Sequence, residues 1–250
     1  MNTASRLKVL AGKKLVDLDP AELAAALAAS DHVLVDVGTG DARTAYRQAV
    51  AHPEWTVIGV DPAWQRMAET AVRAARKPAK GGAPNLVLVN AAIETVPTAL
   101  SGVADEVTVL MPWGKLLRGV VLGEDDVLSG LRAVAKDGAP LELSIGTSIW
   151  REPVPLEIRD LPELTPEAVE STGLADRLAA FGWQVTDVRL VPHTELETIS
   201  SSWARRLGSG ATETVFRLRA VAVDPREPVR PDQAAPEADG HAAAEPERGA

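Results

Sequence analysis

The run Val35-Asp36-Val37-Gly38-Thr39-Gly40-Asp41 joins a short β-branched segment to a stretch of helical composition. In an open α/β sheet, ligands bind beyond the carboxyl ends of the strands, and glycines in the first turn let the backbone approach them. That layout suits a nucleoside cofactor. A dinucleotide fingerprint G-x-G-x-x-G/A would need glycine or alanine at position 43, where Arg43 stands, so NAD chemistry is disfavoured. An acid directly ahead of the glycines suits a cofactor with an amino-acid end, because Asp36 can accept from its ammonium group. Asp61, in Val60-Asp61-Pro62, follows Gly38 by 23 residues, where a carboxylate commonly takes two hydrogen bonds from ribose hydroxyls. Asp36, Gly38, Thr39, Gly40 and Asp61 together fit S-adenosylmethionine. The plainer alternatives are a helix N-cap at Asp61 and a simple tight turn at the glycines.

Three further runs carry polar or aromatic groups at strand or helix ends. Asn90-Ala91-Ala92-Ile93-Glu94 offers small residues against which an adenine ring could lie, and Leu110-Met111-Pro112-Trp113-Gly114 puts an indole on a turn. That indole is either a packed corner or a functional ring. In Ser200-Ser201-Ser202-Trp203-Ala204-Arg205-Arg206-Leu207, Leu196, Ile199, Trp203 and Leu207 recur at helical spacing, which favours a buried stripe. The serines and arginines beside it would equally form a phosphate-facing rim. His32, His52, His193 and His241 are scattered and read as surface or structural, and no metal-ligand set stands out.

Short apolar runs alternating with alanine-rich stretches position these groups, the pattern of a parallel sheet covered on both faces. Strands are expected at 33–37, 56–60, 86–90, 107–110, 140–145, 184–190 and 214–221. Helices are expected at 20–29, 42–51, 62–76, 124–134, 166–181 and 194–207. Asp19-Pro20, Asp61-Pro62 and Thr165-Pro166 each place a capping side chain before a proline suited to a first helical turn. LKVL and KKLVDL around Ala11-Gly12 predict an N-terminal β-hairpin, and the proline- and acid-rich stretch 150–164 an inserted loop.

The 250 residues, 46 % hydrophobic and 24 % charged, suffice for one α/β domain. The absence of cysteine excludes a disulfide framework, thiolate zinc sites and cysteine nucleophiles. No apolar run approaches 18 residues and the N-terminus lacks a signal-peptide core, so a cytoplasmic protein with no membrane partner is expected. Net charge is −9, which disfavours indiscriminate coating of nucleic acid. From Asp224 onward seven acids face three arginines, so the preceding chain retains −5; that tail has too little apolar surface to order itself and is expected to be disordered. The organisation expected is therefore a hairpin extension at 1–19, one domain at 20–223 and a tail at 224–250. The basic clusters Arg6 to Lys14 and Arg66 to Lys80 read from charge alone as solvated faces.

DVGTGD, VDP, KPAKGG, MPWG and SSWARRL, in this order and spacing, closely resemble the aminoglycoside-resistance 16S ribosomal RNA methyltransferases that modify N1 of adenosine 1408, the NpmA/KamB group. The resemblance covers about Leu7 to Val223. It implies a Class I S-adenosylmethionine-dependent methyltransferase (Rossmann-like) fold: seven mostly parallel strands, the last antiparallel, with insertions after the fifth and sixth that help bind RNA. By the same resemblance Asp36, Gly38, Asp61, Pro62, Ala92, Glu94 and Leu110 match cofactor-pocket positions, and Ser201 lies near the cofactor and the target base. Trp113 and Trp203 match two tryptophans that sandwich the flipped adenine. Arg73, Arg76, Lys77, Lys80, Arg205 and Arg206 match or neighbour positions that grip ribosomal RNA. The expected partner is 16S rRNA in the 30S subunit, the expected state a monomer and the expected phenotype resistance to kanamycin and apramycin. The sequence departs from the pattern twice: Ala42 follows GTGD where relatives have glycine, and Gly208 to Glu213 stands where relatives carry arginines. A small-molecule methyltransferase and a non-catalytic ribosome-binding protein remain the competing readings.

Overall fold

A computed structural model describes residues 7–151, 156–192 and 214–224. Nine strands form a single sheet: β1 (Leu7–Ala11), β2 (Lys14–Leu18), β3 (His32–Val37), β4 (Trp55–Val60), β5 (Leu86–Val89), β6 (Glu106–Leu110), β7 (Pro140–Gly146), β8 (Trp183–Pro192) and β9 (Thr214–Ala222). Their order is β2-β1-β5-β4-β3-β6-β7-β9-β8. Strands β3 to β7 run parallel, and β9 inserts antiparallel between β7 and β8. The seven expected strands all form, within two residues at each end. The predicted hairpin does more than extend from the domain: β1 pairs antiparallel with β5, so both its strands lengthen the sheet.

Alternation in β3 shows how the sheet is buried. Val33, Val35 and Val37 face a large core shared with Leu23 of α1 (Pro20–Ala28), Leu117 and Val120 of α4 (Gly114–Leu122), and Leu128 and Leu131 of α5 (Asp125–Val134). Leu34 faces the other way, toward Ala45, Tyr46 and Ala49 of α2 (Arg43–Ala51). Met67 and Ala71 of α3 (Trp64–Ala74) pack beside it against Leu10 and Leu88. Burial on both faces explains the continuous apolar runs of the central strands.

Asp19 and Thr165 behave as the sequence predicts, accepting from Ala21 N–H at 2.8 Å and Ala168 N–H at 3.1 Å. Asp61 does not cap a helix beginning at Pro62; α3 starts at Trp64, and Asp61 serves the loop ahead of it. The expected helix 166–181 is two, α6 (Pro166–Ser171) and α7 (Leu174–Ala180), split where Gly173 takes φ +72°. Helix α4 was not expected, because glycines at 114 and 119 and paired valines hide its periodicity. Part of the stretch 150–164 is anchored rather than loose: Ile158, Leu161 and Leu164 are buried, and Arg118 holds Asp160 at 2.9 Å. The expected helix 194–207 and the tail beyond Asp224 lie outside the described residues.

Candidate active site

Strand order reverses at β3, between β4 and β6, and the crevice at the carboxyl ends there is where α/β sheets bind ligands. A pocket of about 410 Å³ opens at that point, within the usual range for small-molecule sites. All nine residues expected to hold a cofactor line it, and Trp113 joins them.

Asp36, the last residue but one of β3, is 3 % exposed, and its two carboxylate oxygens accept from the hydroxyls of Thr39 at 2.6 Å and Thr108 at 3.1 Å. Desolvation by burial outweighs both bonds and pushes its pKa up to about 6, with Asp61 and Asp41 adding repulsion. A buried carboxyl whose charge is undercompensated is a receptor for a cation, as an amino-acid ammonium would be. Asp61 is 7 % exposed and accepts from Gly40 N–H at 3.0 Å and Ala63 N–H at 2.7 Å, which ties the end of β4 to the glycine turn. Each of its oxygens keeps a further lone pair for a hydroxyl. Gly38 has φ +71°, and a Cβ there would lie 2.4 Å from Leu116 Cδ2. The glycine both permits the turn and leaves room for the pocket wall. Ala42 also takes the left-handed region, at φ 58°, a conformation that glycine adopts without steric cost.

On the opposite wall Glu94 sits in the turn Ile93–Thr95 with only 9 % of its side chain exposed, 3.1 Å from Lys115 Nζ. Lys115 also reaches Asp126 at 3.4 Å, so one ammonium bridges the turn carrying Glu94 to α4 and α5. Trp113 is the residue before α4 and is 40 % exposed, a large ring left at the pocket rim rather than in the core. The turn that presents it is set by Met111, which has φ 51°, donates its N–H to Ser144 O at 2.8 Å and packs beside Val191 and Val215.

The chain matches the family NpmA, 16S rRNA (adenine(1408)-N(1))-methyltransferase, over residues 8–222. It is 41 % identical over 203 residues to the 16S rRNA (adenine(1408)-N(1))-methyltransferase of Streptoalloteichus hindustanus, covering 81 % of this chain and 93 % of that one. The crystal structure of the W203A mutant of the same-named enzyme from Catenulisporales acidiphilia, with cosubstrate SAM, is similar at 85 % identity and TM-score 0.85, covering 89 % of this chain and all of that one. The methyltransferase KamB is similar at 37 % identity and TM-score 0.78, covering 87 % and 100 %. This chain belongs to the adenine-1408 methyltransferase family.

Within that family framework, the expected RNA-gripping residues fall in two groups. Arg73, Arg76, Lys77 and Lys80 are exposed along the end of α3 and the turn Pro78–Lys80, and none of them lines the pocket. Ser201, Trp203, Arg205 and Arg206 lie outside the described residues. Sequence reasoning missed Lys115 and Arg66 as pocket residues, and Thr108 as the buried partner of Asp36. Thr108 is opposite Asp36 across β6, a register no local pattern reveals. Lys115 follows Trp113 by two residues, and the unexpected helix α4 is what turns it inward.

Proposed function

We propose that this protein transfers a methyl group from S-adenosylmethionine to N1 of adenosine 1408 of 16S rRNA within the 30S subunit, and thereby confers resistance to aminoglycosides such as kanamycin and apramycin. One juxtaposition carries the reading: a cation-seeking carboxyl, a glycine turn and a ribose-facing carboxylate share a single pocket with an exposed indole. The 33–41 % identity to relatives named for this reaction supports the same target.

Asp36 would take the ammonium of the cofactor, Asp61 the ribose hydroxyls, Gly38, Thr39 and Gly40 the close backbone approach, and Pro62, Ala92, Glu94 and Leu110 the base and its surroundings. When bound, the cofactor supplies the electrophilic methyl. The chain's own task is alignment and stacking. Adenine N1 lies on the Watson–Crick edge, so the base must leave its stack at a cost of a few kcal/mol. An indole returns about 1–3 kcal/mol per base, which makes Trp113, with Trp203, a clamp of sufficient strength. Neutral N1 already carries a lone pair, so no general base is required, and neither His32 nor His52 lines the pocket. Ser201 is assigned to the same reaction centre, and Arg73, Arg76, Lys77, Lys80, Arg205 and Arg206 to the rRNA backbone. A cytoplasmic monomer, with 20–223 as the catalytic domain, completes the reading.

Primer extension across the decoding site of 30S subunits tests it. A reverse-transcription stop at adenosine 1408 that requires both protein and methyl donor is the expected result. Absence of that stop with intact cofactor binding refutes it, and methylation of a small acceptor without ribosomes favours the competing enzyme class.

A further inference from the structure

A second cleft of about 440 Å³ lies behind the glycine turn, where α2, α3 and the β1–β2 turn meet. Lys13, Arg43, Arg73 and Arg76 line it against a single carboxylate, Glu69, whose side chain is 86 % exposed. Tyr46, the one tyrosine of the chain, organises this cleft from beneath. It is 6 % exposed, its ring lies under the Arg73 guanidinium at 4.6 Å, and its hydroxyl donates to Gly81 O at 2.6 Å. The same buried ring therefore fixes Arg73 and pins the turn that carries Lys77 and Lys80. That turn has little other freedom: Gly82 N–H donates to Lys77 O at 3.1 Å, and a Cβ at Gly82 would lie 1.7 Å from Arg76 O. On the far wall Thr70 donates to Asp41 O at 2.6 Å, so the cleft is built onto the glycine turn of the cofactor pocket.

We propose that this cleft is a binding site for an rRNA backbone phosphodiester, with Arg43 and Lys13 joining Arg73 and Arg76 as its ligands and Tyr46 as the positioning residue. The proposal rests on the reading of the chain as a 30S methyltransferase. Four cations against two carboxylates, Glu69 in the lining and Asp41 beside Arg43, leave an excess of positive charge that favours an anion, and guanidinium groups suit the paired oxygens of a phosphodiester. Arg43 now reaches Glu69 at 3.4 Å and Asp41 at 3.6 Å, contacts that an incoming phosphate would exchange for its own. Stacking on an aromatic face holds a guanidinium in place without neutralising it. Arg73 thus arrives preorganised, and phosphate contacts set register and orientation rather than sequence choice. Because the cleft and the cofactor turn share the Thr70–Asp41 bond, a phosphate seated here fixes the distance between the rRNA backbone and the methyl donor's pocket.

The test measures 30S binding by the full chain across salt, together with KM and kcat for methylation. Each phosphate contact contributes about 0.7–0.9 to the slope of log affinity against log salt, which corresponds to about threefold in affinity between 50 and 200 mM. Arg43→Gln, at a half-exposed site where folding is not at stake, should lower the slope by one such increment. It should raise KM for 30S several-fold, and leave kcat at saturating 30S and the dissociation constant for S-adenosylmethionine within twofold. Tyr46→Leu should reduce the slope further than Tyr46→Phe, which keeps the ring under Arg73 and loses only the bond to Gly81. An unchanged slope and KM in Arg43→Gln, with native 30S binding by the unaltered protein, would overturn the cleft alone. A Tyr46→Leu deficit seen in melting temperature but not in the salt slope would do the same. Failure of the unaltered protein to bind 30S would overturn the functional reading and the cleft with it.

Discussion

Replacing Asp36 with asparagine should make the protein more stable and less able to bind its cofactor. The carboxyl is 3 % exposed, and its pKa is raised by burial from 3.8 to about 6. A folded-state value above the unfolded one means that protonation favours folding: the cost of the buried charge is absent below about pH 4, grows as pH rises toward 6 and is complete above it. A rise of that size corresponds to about 3 kcal/mol at neutral pH. Asparagine removes that cost but surrenders part of the charge-assisted bonding from Thr39 and Thr108, leaving a net gain of about 1–2 kcal/mol. For a domain of this size the melting temperature at pH 8 should rise by about 2–8 °C, and the advantage should vanish by pH 4. Calorimetric titration with S-adenosylmethionine should show the opposite trend, with affinity of the variant lower by an order of magnitude or more. In the unaltered protein, affinity should hold from pH 8 to 7 and then fall, up to tenfold per unit, below about pH 6 as a proton competes with the ammonium group. Flat cofactor affinity down to pH 5, or a variant no more stable than the parent at pH 8, would refute this account of the pocket.

Other perturbations separate the walls of the site. Trp113→Ala should slow methylation by about 10- to 100-fold, the equivalent of 1–3 kcal/mol of lost stacking, while cofactor affinity in equilibrium dialysis stays within threefold. Gly130→Ala would place a Cβ 2.0 Å from Ile93 O, so α5 and the turn bearing Glu94 must separate. Overpacking of this kind costs about 1–3 kcal/mol in a denaturant titration, and KM for S-adenosylmethionine should rise with it. Lys115→Met should raise the same KM by leaving Glu94 without its cation, and Lys115→Arg should restore most of it.

How much of this was legible in the chain depends on whether the signal was local. Asp36, the glycines and Asp61 could be found because a strand end followed by a turn and a helix start is a contiguous pattern, and the cap at Asp19 followed from the same kind of reading. Asp61 itself was half legible. Its spacing from Gly38 placed it at the right strand end, but Asp61-Pro62 looks like a cap, and only the fold reveals that its oxygens join Gly40 to Ala63 instead. Helix α4 was hidden because glycines lower its helix propensity, although Gly119 is there to let Val127 approach: a Cβ would lie 2.3 Å away. Lys115 was missed because it reaches the pocket from an unforeseen helix, Thr108 because only strand order sets it beside Asp36, and Arg66 because nothing local shows which face of its expected helix meets Gly40. The cleft beneath Arg73 was equally invisible, for Tyr46 and Gly81 are 35 residues apart and meet only across α2 and the α3–β5 turn.

Helix α3 links the two halves of the chemistry. Its first residue follows the Asp61-Pro62-Ala63 edge of the pocket, and its last turn delivers Arg73 to the basic cleft. Eleven residues at 1.5 Å each give a rigid spacer of about 16 Å. Met67 and Ala71 bury its inner side against Leu10 and Leu88, so the spacer cannot tilt without breaking the packing between hairpin and sheet. The N-terminal hairpin therefore matters beyond its own charges, since β1 closes the wall on which α3 rests. With an rRNA phosphate seated in the cleft as proposed, an acidic chain would need no broad positive field: a few cations held at fixed distances from one pocket would select a folded surface by shape, and the same distances would decide which base comes within reach of the methyl donor.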